Sequence, residues 1–115
     1  MSDDELQNTL TQLGVLTSGQ PHISAFLKEL RSACATDWSK VQGLVSDLRL
    51  WGGMGSVADQ AGCDLSPDGR RRVNELLIRL YELLEDRGIT DVRGASWVDT
   101  FRKWRDSNVF GLGNA

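Results

Sequence analysis

Ser66-Pro67-Asp68-Gly69-Arg70-Arg71-Arg72-Val73-Asn74-Glu75-Leu76-Leu77-Ile78-Arg79-Leu80-Tyr81-Glu82-Leu83-Leu84 carries the marks of one long helix. Ser66 supplies a capping hydroxyl and Pro67 suits a first helical position. Val73, Leu76, Leu77, Leu80, Leu83 and Leu84 then recur at helical spacing until Gly88, over about twenty residues. A helix this long and one-sided is the spine of a core. At about 100° per residue only Ile78 falls out of place, on the polar side with Arg71, Glu75 and Glu82. It reads either as an isolated exposed aliphatic or as a contact with the first helix, the last helix or a partner chain.

The rest of the chain falls into helical segments around this spine. Leu6, Leu10 and Leu13 line a first helix over residues 3–14, opened by three acids that favour the positive helix end. Pro21 starts a second, carrying Ile23, Phe26, Leu27, Leu30, Ala33 and Cys34. Thr36 or Asp37 caps a third, with Trp38, Val41, Leu44, Val45 and Leu48 on one face. A fifth starts at Ser96, which with Asp99 resembles a capping box, and shows Trp97, Phe101 and Trp104 at helical spacing. The tail from Ser107 reads as frayed, with Val109, Phe110 and Leu112 able to dock. No five-residue stretch alternates with period two, so strands have no support. The expected fold is all-α: one domain over residues 1–115, a compact bundle of four to five helices. Residues 1–20 form a peripheral first helix and loop, and residues 96–115 a C-terminal helix and tail.

Composition narrows the class. At 115 residues, roughly 65% of the unfolded surface can be buried without disulfide or metal staples. With 40% hydrophobic and 25% charged residues, the chain reads as an ordinary globular domain. Its acidic start does not resemble a secretory signal and no apolar run approaches a membrane span, so the expected location is cytoplasmic and no membrane partner is expected. Cys34 and Cys63 lie 29 positions apart and His22 is the single histidine. That pattern predicts no metal site and no haem attachment, and two cysteines that act as small buried hydrophobes.

Charge is unevenly divided: nine acids and four bases in residues 1–68 against seven acids and nine bases in residues 69–115. Arg70-Arg71-Arg72 stands where the positive end of its helix disfavours cations by about 0.3–1 kcal/mol each. The triplet is offset either by Asp64 and Asp68 or by an anionic partner. Nucleic acid is not expected, since a net charge of −3 is opposite to the footprint such binders show.

Between the third helix and the spine lies Trp51-Gly52-Gly53-Met54-Gly55-Ser56-Val57-Ala58-Asp59. Three glycines so close imply positive φ or tight backbone approach. Neither the Walker nor the dinucleotide pattern is present. The structural expectation is a sharp reversal in which Met54 plugs the core and Asp59 caps the backbone or pairs with an arginine such as Arg79. Trp51 is either the lid of the core or a contact residue, while Trp38, Trp97 and Trp104 are expected inside.

The run Trp51-Gly52-Gly53-Met54-Gly55-Ser56 with Asp59, followed by Asn74 and Leu77-x-x-Leu80-Tyr81, resembles a family of small bacterial proteins of unknown function. That family carries an aromatic-G-G-M-G-S-x-x-D signature. The resemblance spans residues 23–87 and implies no activity, cofactor or catalytic residue. The family continues after the aspartate with an apolar, strand-like run, where this chain has Gln60-Ala61-Gly62-Cys63-Asp64, and residues 96–115 lie outside the match.

Two functional classes follow. The first is a non-enzymatic protein-binding module, an immunity protein that blocks a bacterial toxin or effector. Its contacts would be Trp51, Met54 and Asp59, with Asp37, Asp47 and Asp64 around them, on a structural loop of Gly52, Gly53, Gly55 and Ser56. Occlusion needs no chemistry, no cofactor and no catalytic residue. The second is a small-molecule or anion-binding protein, with enzymatic use of the loop included, in which Ser56, Asp59 and Arg70 to Arg72 hold the ligand. A homodimeric regulatory module is the third alternative.

Overall fold

The computed structural model describes residues 2–107, with side chains from residue 4 onward; the expected docking of Val109, Phe110 and Leu112 lies outside the described residues. It is all-α, with no strand among the described residues. Four longer helices carry the architecture: α1 (Ser2–Leu16), α2 (Pro21–Thr36), α6 (Pro67–Glu85) and α7 (Val92–Asp106). Between α2 and α6 lie a 3₁₀ turn (Trp38–Lys40) and three short helices: α3 (Val41–Val45), α4 (Leu48–Trp51) and α5 (Val57–Gln60).

The spine forms as its sequence dictates. The Ser66 hydroxyl accepts from Gly69 N at 3.3 Å and Pro67 opens α6. Leu77, Leu80, Leu83 and Leu84 are almost fully buried. α6 is clasped from two sides. Toward α1, Arg79 bonds Glu5 and Arg72 bonds Gln12; toward α7, Asn74 Nδ2 donates to the Phe101 carbonyl at 3.0 Å and Arg102 pairs with Glu82. Ile78 stands one turn from both Asn74 and Glu82, and it is buried because α7 lies over that side. α1 is less peripheral than its position in the chain suggests: it packs on both α2 and α6 and buries Leu6, Leu10 and Leu13.

The expected third helix is broken. Trp38 lies in a 3₁₀ turn, Ser46 ends α3, and Asp47 starts α4 afresh by accepting from Arg49 N at 2.9 Å. A local cap interrupts a period that the apolar residues alone would continue. α7 begins at Val92 instead of Ser96, because the Asp91 carboxylate accepts from Gly94 N at 3.1 Å and captures the first turn. Ser96 lies inside that helix, and its carbonyl accepts from Thr100 Oγ1. Cys34 is half-buried and Cys63 exposed, so neither is the fully buried apolar residue expected, and neither is in a disulfide.

Trp51 settles as core. Its ring is 1% exposed and meets Tyr81 edge-on at 6.1 Å. A Cβ on Gly94 would stand 3.0 Å from Cδ1 and Nε1 of that indole, so only glycine lets α7 approach. Gly14 in α1 has nothing within 4 Å of the same position. Two alanine substitutions should therefore separate in urea denaturation. Gly94→Ala loses about 1–2 kcal/mol, overpacking outweighing helix propensity, whereas Gly14→Ala gains about 0.5–1 kcal/mol.

Candidate functional site: the glycine loop and the outer side of α7

The loop between α4 and α5 is held by a set of hydrogen bonds, among them one from Ser56 N–H to the Gly53 carbonyl at 3.1 Å. A Cβ on Gly52 would stand 2.2 Å from the Leu48 carbonyl oxygen, so the chain turns back directly on α4. Gly55 sits at φ 86°, the left-handed region that favours glycine. Gly53 meets neither condition. The Ser56 hydroxyl donates to the Gly52 carbonyl at 2.9 Å and accepts from Asp59 N at 3.2 Å, capping α5. Asp59 Oδ2 accepts from Gly55 N at 2.9 Å, closing the loop on itself. From α7, Trp97 Nε1 donates to the same Gly52 carbonyl at 3.1 Å and anchors the loop to the bundle.

Hydrogen bonds from Gly55 N–H first, and from the Gln60 amide second, hold the Asp59 carboxyl below its ordinary range against a smaller opposing effect of burial. The Gly55 amide of the loop is thus occupied by the protein's own carboxylate. Ser56 is 2% exposed and both its bonds point inward. Asp59 caps the backbone as expected; Arg79 pairs with Glu5 and Glu82 instead.

Met54 is the main correction. It was expected in the core, yet it is 97% exposed, lifted clear between Gly53 and Gly55 by the closed loop beneath it. Trp51 lies inside, where it offers a partner no surface. Trp38 and Trp104, both expected inside, are 38% and 37% exposed, and Trp97 is half-buried. The 3₁₀ turn rotates Trp38 away from the stripe calculated for an α-helix.

Trp97 separates two surface grooves. One, of about 380 Å³, is lined by Trp51, Gly52, Gly53, Arg93, Ser96, Trp97 and Thr100. The other, of about 250 Å³, lies between α5, α6 and α7, with Asp59 and Arg70 on its walls. Its aromatic side is a ladder: Trp97 to Phe101 at 5.6 Å and Phe101 to Trp104 at 5.7 Å between ring centroids. Loop, Trp97 and both grooves form one continuous face.

The acidic ring expected around the loop is not assembled. Asp37 lines a groove with Lys28, Glu29 and Lys40 on α2. Asp47 is occupied by Arg49, whose side chain first and backbone N–H second hold its carboxyl below the usual range. Asp64 lies against Gly19. The arginine triplet also divides: Arg71 pairs with Asp68 and Glu75, Arg72 lies beside Glu75 and Gln12, and Arg70 opens on the smaller groove. His22 is exposed in the first turn of α2. Among the described residues no group of three or more His, Cys, Asp or Glu is placed to hold a metal ion, and no helix is long and apolar enough to cross a membrane.

Compared with protein families, curated proteins and solved structures, the chain matches none. The chemistry of this face therefore rests on its own geometry.

Two measurements check the loop. Ser56→Ala removes the α5 cap and one bond to Gly52, and should cost about 1–2 kcal/mol in chemical denaturation. For Asp59, a folded pKa below the unfolded value of about 3.9 means that its contribution is complete above that value and is lost as pH falls through the folded pKa. Asp59→Ala should accordingly be less stable than wild type at neutral pH, and the gap should narrow below about pH 4.

Proposed function

We propose that this chain is a protein-binding module that works by docking, with the glycine loop and the outer side of α7 as its contact face. Its role in the cell is that of an immunity protein, which neutralises a bacterial toxin or effector by covering it. The observation that carries the reading is Met54, 97% exposed on a loop closed by hydrogen bonds at both ends.

A single exposed apolar residue is ordinary. Met54 differs in its setting. Burying a methionine contributes about 1.5–3 kcal/mol, and here the backbone is fixed in the one arrangement that forgoes this within the chain. A partner that buries Met54 recovers that energy without ordering a mobile loop, so little conformational entropy opposes docking. The unbranched thioether side chain adapts to an irregular apolar pocket. Trp97, whose indole is both anchor and groove wall, extends the same face, and Leu48 is 64% exposed on α4 at the foot of the loop. With no chemistry required of it, such a face acts by occlusion.

The test is capture from the native host with wild type and Met54→Asp. Met54 touches nothing that holds the fold, so the variant should melt with wild type while its affinity for the captured protein falls at least tenfold, the order of a 2 kcal/mol hot spot. The captured protein, expressed alone, should arrest growth, and wild type but not Met54→Asp should restore it. Capture that is unchanged by Met54→Asp, or growth that needs no protection, overturns the reading.

A further inference from the structure

We propose that the groove between α5, α6 and α7 receives an acidic, aromatic-bearing segment of the partner protein, its carboxylate on the Arg70 guanidinium and its ring against Trp97 and Trp104. The inference rests on the protein-binding reading and names the chemistry this face accepts.

The first support is charge. Arg71 and Arg72 each have carboxylates beside them, whereas the Arg70 guanidinium makes no ion pair or hydrogen bond among the described residues. It stands near the start of α6, where a cation is disfavoured, and no carboxylate among the described residues lies within salt-bridge distance of it. Asp59 is the one acid lining the groove; its carboxylate already accepts from Gly55 N and from Gln60 Nε2, and it does not reach Arg70 within salt-bridge distance. Of the two charged side chains that line the groove, Arg70 is the one with no internal hydrogen-bond partner among the described residues.

The second support is shape. Ala58, Ala61, Val73 and Leu77 make the rest of the lining largely apolar, together with Cys63 and with Asn74, whose amide is taken up by the Phe101 carbonyl. About 250 Å³ accommodates one aromatic side chain but falls below the roughly 300–1,000 Å³ typical of small-molecule pockets. An organic cation would gain from the indole faces, yet it would sit beside a free guanidinium. A bare anion would use Arg70 and leave both indoles exposed. A carboxylate joined to a ring satisfies both, and the hydrogen bond it accepts from Arg70 is of the stronger, charge-assisted kind.

The probe is 3-phenylpropionate titrated into the full chain, followed by the indole N–H signals of Trp97 and Trp104 and the Arg70 side-chain N–H in two-dimensional NMR. 3-Phenylpropylamine, of the same shape and opposite charge, runs beside it. The carboxylate should shift all three signals saturably and bind at least tenfold tighter than the amine. Arg70→Gln, which removes no internal contact, should weaken it about tenfold with the remaining spectrum unchanged. Equal binding of the amine, shifts that spare the two indoles, or full binding by Arg70→Gln overturns the proposal. Should any of these occur while Met54→Asp still abolishes capture, docking stands and the carboxylate assignment alone falls.

Discussion

The seat of Trp51 against Gly94 is the constraint on which the rest of this structure depends. Trp51 is the last residue of α4; its ring meets Tyr81 of α6 and lies against the backbone of α7, so one side chain fixes three elements. Its indole N–H is buried with no hydrogen-bond partner. An orphan donor of that kind costs about 1–3 kcal/mol, but burying about 150–250 Å² of indole contributes roughly 4–6 kcal/mol at 25 cal/mol per Å². Burial wins, and the chain leaves Trp51 with a defined direction. Gly52 follows at once, reversing on Leu48, and its carbonyl is presented to Ser56 and Trp97. The loop's position is a consequence of the tryptophan before it.

That order explains which features could be read from residues alone. α2 and α6 announce themselves by a proline at the first position and an apolar stripe sustained over about three turns, and α1 by the stripe alone. Periodicity gives such a helix its buried direction, but it is silent on what covers the flanks. Ile78 shows this: α7 buries a position that the stripe of α6 leaves out. Short elements are illegible for a different reason. α4 and α5 are single turns of four residues, too short for any period, and they exist because Asp47 and Ser56 cap them. The caps are visible in the sequence; what they start is decided by the packing of Leu50, Trp51, Val57 and Ala58.

The loop was legible in part and for physical reasons that can be separated. Two of its glycines meet the conditions that clustered glycines imply, Gly52 by close approach and Gly55 by positive φ. Asp59 capping the backbone follows from its place three residues after a serine. The direction of Met54 does not follow from composition, since a methionine between glycines serves equally as plug or probe until the anchor on Trp97 is known. Arg70 and Trp97 were missed as a pair for the same reason. They are 27 positions apart, and only the crossing of α6 and α7 brings them to one groove.

The two charged groups in that groove stand in contrast. Asp59 is engaged internally: its carboxylate accepts from the loop's own Gly55 N–H. Among the described residues Arg70 is left outside every ion pair, although Asp68 and Glu75 stand within reach of its neighbour Arg71. Long-range repulsion and short-range recognition are thereby assigned to different groups. The nine acids of residues 1–68 give the molecule its negative field, which orients an approaching acidic segment away from that half of the chain. Arg70 acts at contact, where one hydrogen-bonded charge counts for more than several screened ones. Discrimination at this face comes from that pairing of a repelling field with a single attractive point, because a segment that carries the charge without the ring meets the field and gains nothing from the indoles.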